Sequence, residues 1–351
     1  MSARGIRFRG MSTLWRPRHL VVVLAATLAA LAVAVVSAGV GDFTIAPSRV
    51  LAVLLGGGDR REELVILTIR LPRILVALLV GVALGVSGAV VQTTARNSLA
   101  SPDLLGITAG ASVGAVAVIV LGGDSGTVSG VLDTVGVPVG ALVGGLLAAA
   151  LVLLIIRRTG SGGLQPILVG VGVSALLGGV VSWMMVEASI NDAARANVWL
   201  TGSLNGRSWG ELWPLLLVVL VCLPLLVPLS TRLGAIDLGA DVARGLGVSM
   251  LRTQGALLVL AVLLASVTTA AAGPIAFVAL VSPHLARLAS GSSRPPLAAS
   301  AAIGALIVVS SDLIARTVLA PIQVPVGAIT ALVGAPFLLW LLIRTRREVR
   351  R

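Results

Sequence analysis

Asp312 and Arg316 stand four residues apart within one long apolar run, and Arg70 and Arg73 open another. Charged side chains in such surroundings are the first place to look for chemistry. Ion-coupled carriers hold Asp, Glu or His inside the membrane to bind protons or sodium. Asp312, and Glu187 near the end of its own run, are the carboxylates that could serve. An Asp and an Arg at i and i+4 share one helix face, so a local ion pair accounts for Asp312 and Arg316 more simply than a relay does. His284 could carry a proton, but its place toward the end of an apolar run favours a structural hydrogen bond.

The remaining inventory is short. His19 and His284 are the two histidines and Cys222, inside an apolar run, is the single cysteine, which excludes a disulfide within the chain. No grouping of Cys, His or carboxylate approaches a metal-ligand spacing, and no nucleophile stands with a base. No catalytic residue, no bound metal and no cofactor are therefore expected. All 26 basic residues are arginine. Without lysine the chain cannot carry the G-x-x-x-x-G-K-[ST] phosphate loop, so any ATP hydrolysis belongs to another chain.

The elements that must position these residues are membrane helices. The chain is 57% hydrophobic and 11% charged, with a mean hydropathy of +1.06, whereas soluble domains carry about 25% charged residues. About 20 apolar residues in a helix cross the hydrocarbon core. On that measure the sequence predicts an all-α integral membrane protein with about ten spans, near 19–40, 71–91, 103–121, 137–156, 165–186, 211–229, 251–271, 274–289, 297–317 and 325–343. Residues 1–18 form an Arg-rich head, 19–344 the permeating body and 345–351 a basic tail. The first run is longer than a usual signal-peptide core, which favours a retained span.

Orientation follows from the arginines. With the N-terminus inside, eighteen of them face the cytoplasm, while Arg49, Arg60, Arg61, Arg70, Arg73, Arg195, Arg207 and Arg316 face out. The positive-inside rule therefore selects N-in and C-in. Topology explains the basic excess, and no nucleic-acid partner is needed. Spans 2–5 then begin outside and spans 7–10 inside, so any internal duplication is inverted, a common plan in transporters. Glycines recur four apart, at 81 and 85, at 106, 110 and 114, and at 140 and 144. In lipid such spacing serves close helix packing ahead of any direct substrate role.

Several segments carry a more specific signature. The stretch 70–114 reads RLPRILVALLVGVALGVSGAVVQTTARNSLASPDLLGITAGASVG; 230–250 reads STRLGAIDLGADVARGLGVSM; 270–287 reads AAAGPIAFVALVSPHLAR; and 325–342 reads PVGAITALVGAPFLLWLL. They resemble the RLPR, GAxxQ, RNPLAxPxLLGxxxGA, LGxxxARxLG, GxIxFxGLxxPHxxR and PxGxxTAxxGxPxFxxLL patterns in transmembrane subunits of bacterial ABC importers for ferric siderophores, haem and cobalamin. Ser98 stands where that pattern has proline, and Gln323 where it often has an acid. The segment 198–209, VWLTGSLNGRSW, is similar to the ferric enterobactin branch.

The resemblance implies a permease in the bacterial cytoplasmic membrane, surrounded by lipid. It would work with a separate ABC ATPase subunit, an extracytoplasmic substrate-binding protein and a second permease subunit, a heterodimer being favoured over a homodimer. A ferric siderophore is the implied cargo, ahead of cobalamin and haem, and the contrasting class is an ion-coupled secondary transporter. At matched positions Arg70, Arg73 and Arg316 would receive acidic residues of the binding protein, against the simpler reading of helix-end snorkelling. Asn97 and Leu99 would fall at the cytoplasmic gate. Asp237, Asp241, Arg244 and Leu246 would belong to a segment coupling to the ATPase, which by pattern alone could be an amphipathic helix at the headgroups.

Overall fold

The structure, a computed structural model, describes residues 4–8, 11–15, 17–41, 43–122, 136–159, 165–237, 245, 247–320 and 322–349. Each predicted span is a helix. In chain order these are α1 (Pro17–Gly39), α4 (Leu71–Ala95), α5 (Ile107–Leu121), α6 (Val137–Thr159) and α7 (Gln165–Glu187). They continue as α9 (Trp209–Asp237), α10 (Met250–Ala272), α11 (Val278–Ser290), α12 (Leu297–Thr317) and α13 (Val326–Val349). Among the described residues seven helical stretches are long and apolar enough to cross a membrane. Helices α5 and α13 have shorter apolar cores, and α11 is shorter still.

Burial separates the centre of the bundle from its flank. The apolar window of α4 is 78% buried and that of α10 is 72%, whereas α7 is only 11% buried. Val76 and Val80 of α4, Leu215 and Leu226 of α9, and Leu257 and Leu264 of α10 lie fully inside one cluster, with Cys222 among them. In lipid the gain comes from packing density and backbone approach, since exposed leucines are already in an apolar solvent. Small residues therefore sit where helices cross. A Cβ on Gly81 would lie 2.3 Å from the Gly304 carbonyl oxygen of α12, and one on Gly88 would lie 1.7 Å from the Ala279 carbonyl oxygen of α11. Gly110 and Gly114 of α5 interlock in the same way with Gly144 and Gly140 of α6, so the spacings read from sequence do mark close crossings.

Four features depart from the expected plan. Residues Arg4–Phe8 (β1) and Met11–Trp15 (β2) form a two-stranded antiparallel hairpin, pairing Arg4 with Trp15 and Phe8 with Met11, outside the helical body. Short helices α2 (Pro47–Leu54) and α3 (Arg60–Glu63) precede α4, and α8 (Ile190–Leu200) precedes α9. They are too brief to register as apolar runs, yet the caps of α3 and α8 are legible. Asp59 accepts from the backbone N–H of Arg61 and Glu62 at 3.0 and 2.8 Å, and the Glu62 carboxylate accepts from the Asp59 N–H at 3.3 Å, a capping box. A wide-turn helical segment, Leu64–Arg70, fuses α3 to α4, giving one continuous helix of 36 residues from Arg60 to Ala95.

The fourth departure lies between α10 and α11, where the helix begins at Val278 and not at Pro274. Gly273 has φ +74, a conformation that costs a side-chain-bearing residue, and the following proline keeps the chain extended. Irregular backbone within a membrane bundle must be satisfied by protein. Here the Ser203 N–H donates to the Ala272 carbonyl at 2.9 Å, and the Gly327 N–H donates to the Gly202 carbonyl at 3.0 Å. The break is thus sewn to the loop after α8, which in turn holds the start of α13.

Candidate functional site

Four of the charged residues singled out from the sequence, Arg70, Arg73, Asp312 and Arg316, converge at one end of the bundle, which is the end expected to face outward. Asp312 is 0% exposed. Its Oδ1 accepts from Arg73 Nε at 3.0 Å and from Arg73 Nη2 at 2.8 Å, while its Oδ2 lies 3.2 Å from Arg316 Nε. The expected i, i+4 pair is present, and Arg73 of α4 joins it from across the helix crossing. Arg73 Nη1 reaches further, donating to Asn205 Oδ1 at 3.3 Å and to Gln323 Oε1 at 3.1 Å. Arg316 Nη2 donates to the Ser37 hydroxyl and, at 3.3 Å, to the Ser37 carbonyl. Arg70 donates to the carbonyls of Ala38 and Phe43, both at 2.6 Å.

This arrangement shows what the three arginines touch within the chain. Arg70 and Arg73 are 8% and 9% exposed, and the Arg316 side chain is 11% exposed. Their guanidinium groups meet partners within the chain, at the end of α1, on α12 and in three loops. A buried cation with a hydrogen-bonded counter-ion fixes geometry, whereas a docking cation must present its charge to solvent. Snorkelling does not describe them either, because their heads turn into the protein. Arg73 ties the α4–α12 crossing to the loops that carry Asn205 and Gln323.

Those loops rim a vestibule at this end of about 620 Å³, lined by Asn197, Trp199, Ser203, Asn205, Arg207 and Gln323, among others. Its charges are matched locally. Arg207 Nη1 lies 3.8 Å from Glu211 Oε1, and Arg195 pairs with Asp192 one helical turn earlier. Arg195, followed by the Ser189 hydroxyl, holds the Asp192 carboxyl below the usual carboxylate range. Burial pushes the Arg207 guanidinium down, and Glu211 opposes that shift.

A second cavity, of about 440 Å³, lies at the other end of α4, lined by Gln92, Thr93, Arg96, Asn97, Ser98, Arg287, Ser293, Arg294 and Pro295. The 19 residues from Arg73 to Gln92 span about 29 Å of helix, close to the hydrocarbon thickness of a bilayer. Arg96 ends α4 in a left-handed turn at φ 49. Asn97 then folds back, its Oδ1 accepting from the Leu99 N–H at 2.9 Å. The two expected gate residues are therefore joined to each other, and Asn97 borders the cavity. Beyond Leu99 the chain re-enters the bundle, with Ala100 and Ser101 buried, so the connector is a re-entrant turn and not a solvent loop.

His284 is buried, with Nδ1 3.4 Å from Arg287 Nη2 and its ring edge-on to Phe337. That is the structural role expected of it. Of the coupling residues, Asp237 ends α9, while Asp241, Arg244 and Leu246 lie outside the described residues. Ser37 and Asn205 were not singled out by the sequence. Asn205 lies in the VWLTGSLNGRSW segment quoted above, whereas nothing marks Ser37 among its small apolar neighbours. Among the described residues no group of three or more His, Cys, Asp or Glu could hold a metal ion.

Comparison with known proteins gives a consistent picture along the chain. The FecCD transport family profile matches residues 18–344. The ferric enterobactin transport system permease protein FepG of Escherichia coli (strain K12) is 39% identical over 308 residues, 88% of this chain and 91% of that protein. The iron(3+)-hydroxamate import system permease protein FhuG of Bacillus subtilis (strain 168) is 36% identical, covering 93% and 98%. Among solved structures, an inward-facing conformation assigned to a metal-chelate type ABC transporter superposes with a TM-score of 0.79 at 28% identity, covering 93% of this chain and 99% of that one.

Proposed function

This chain belongs to the FecCD transport family, and from that premise we propose that it is the permease subunit through which an ABC importer passes a ferric siderophore into the cytoplasm. The observation that carries the reading is the length of the family match, which takes in nearly the whole helical body and the two cavities described above. Relatives named for ferric enterobactin and for iron(3+)-hydroxamates support an iron chelate as cargo. The lysine-free sequence supports a separate ATPase subunit. An external binding protein and a second permease subunit complete the proposed assembly in the bacterial cytoplasmic membrane. N-in, C-in topology and an inverted relation between spans 2–5 and 7–10 form part of the same reading, supported by the arginine asymmetry.

Within it the outer vestibule receives cargo from the binding protein, and Arg73 and Arg316 act by holding the rim in shape. Asn97 and Leu99 stand at the inner gate, and the segment around Asp241, Arg244 and Leu246 rests on the ATPase. Radiolabelled iron uptake tests the cargo, using a panel of siderophores on a strain lacking this permease and on its complemented form. At least one ferric siderophore is expected to enter only the complemented cells. Equal iron uptake in both strains, with cobalamin or haem uptake restored by complementation, would move the cargo to that class.

A further inference from the structure

We propose that Phe277 is a gating residue of the transport path, seated against Gly334 while the path is closed and withdrawn when α11 winds up one further turn. The proposal rests on the transport reading above and adds to it the point at which the bundle switches.

Backbone strain marks the position. Among the described residues Arg96 and Phe277 are the two non-glycine residues with positive φ. Arg96 ends a helix, where a left-handed residue is a common cap. Phe277 instead begins one, at φ 67, and the Val278 N–H closes back onto the Ala276 carbonyl at 2.9 Å, the i to i+2 bond of a strained γ-turn. A bulky residue keeps such a conformation only where its surroundings impose it, and strain of this kind gathers at switch regions. Here the surroundings include Gly334 of α13, which is buried, and a Cβ there would overlap Cβ and Cγ of Phe277.

An unstrained alternative is written in the same residues. Pro274 suits the first position of a helix and Gly273 can stand before it, so 274–277 can join α11 as one further turn. The segment starts from a fixed point, since the Ser203 N–H holds the Ala272 carbonyl. Winding it carries Phe277 around the helix axis and out of the Gly334 notch, which makes the segment a two-state element. Pro336, just beyond Gly334, interrupts the hydrogen-bond ladder of α13 and lets that helix bend at the same level.

Depth places the switch between the two cavities. Gly327 of α13 packs on the carbonyls of Pro274 and Thr201, and Thr201 lines the vestibule. Gly334 is two helical turns further along α13, about 10 Å deeper. Beyond it Phe337 meets the His284 ring edge-on, and His284 neighbours Arg287 on the wall of the inner cavity. Ala276 and Phe277 are half-buried, whereas Ile275 and 278–281 are buried, so the unwound segment shows one side outward. Apolar side chains at such a constriction close a path by excluding water.

The test uses the complete transporter in proteoliposomes, in a Cys222-free background. Phe277→Cys is labelled with a small water-soluble methanethiosulfonate, without nucleotide and after trapping with ATP and vanadate, and the labelling rate is expected to differ several-fold between the two states. Two further variants keep the seam from closing, since Phe277→Gly empties the notch and Gly334→Ala fills it. Both should reach the membrane with their ATPase, while uptake of a radiolabelled ferric siderophore per ATP hydrolysed falls about tenfold, on the scale of an emptied or overpacked contact. Phe277→Leu should retain most of that ratio. Equal labelling rates in the two states overturn the proposal, as does a normal ratio in Phe277→Gly and Gly334→Ala. Fewer folded transporters with a normal ratio per folded molecule would likewise overturn it and make the contact one of packing alone. Failure of the transport reading looks different, since wild-type proteoliposomes would then take up no ferric chelate, and the labelling at position 277 needs no cargo.

Discussion

Replacing Asp312 with alanine is expected to remove most of the folded permease from the membrane. Its carboxylate is fully buried and meets Arg73 at 2.8 Å and Arg316 at 3.2 Å, and their side chains are only 10% and 11% exposed. Truncating the shared counter-ion leaves two buried guanidinium groups opposed to each other. Removing one partner of a buried pair costs about 3–5 kcal/mol, a large part of the roughly 5–15 kcal/mol that holds a typical domain folded. Steady-state membrane level and thermal unfolding in detergent should both fall, with Asp312→Glu recovering part of the loss. Arg73→Gln discriminates between the two readings of that residue. A structural tie lowers the folded level, whereas normal folding with selective loss of binding-protein association would return Arg73 to direct docking. An Asp312→Ala protein as abundant and heat-stable as wild type would contradict the network itself.

Leu246→Asp in the proposed coupling segment should abolish most uptake while leaving the permease in the membrane. An apolar side chain seated in a cleft of the ATPase contributes through burial, and a carboxylate there is desolvated without a partner. Co-purification of the ATPase should fall by about tenfold or more, the usual range for a central interface residue. Orientation can be read at the same position. A Leu246→Cys variant in a Cys222-free background should react with permeant thiol reagents only. Unchanged uptake and co-purification, or labelling from outside, would make the segment a headgroup helix or reverse the topology.

The helical body was legible from apolar runs, since length and lack of charge suffice for a span. The start of α11 was misplaced because composition alone does not mark the break, although Gly273 followed by Pro274 carries its signal. Helices α2, α3 and α8 lay below the length of an apolar run; the Asp59–Glu62 and Ser189–Asp192 caps mark α3 and α8, while α2 has only Pro47 in its first turn. The close contacts at Gly81, Gly85, Gly110 and Gly114 followed from spacing. The charged cluster divides along sequence separation. Asp312 and Arg316 could be paired because four residues fix a helix face. Arg73 lies 239 residues from Asp312, and no local rule connects them. The docking reading of Arg70, Arg73 and Arg316 came from the family resemblance, whereas their burial is decided by distant partners, the end of α1 and the loops that carry Phe43, Asn205 and Gln323.

The central claim is import driven by ATP hydrolysed on a partner subunit, and one measurement reaches it directly. The permease, with its ATPase, binding protein and second permease subunit, is reconstituted into proteoliposomes, and uptake of a radiolabelled ferric siderophore is followed. Uptake should require ATP on the ATPase side, persist when ionophores collapse proton and sodium gradients, and stop when the ATPase loses hydrolysis. Uptake that proceeds without ATP and follows an imposed ion gradient would contradict it and make this chain a secondary carrier.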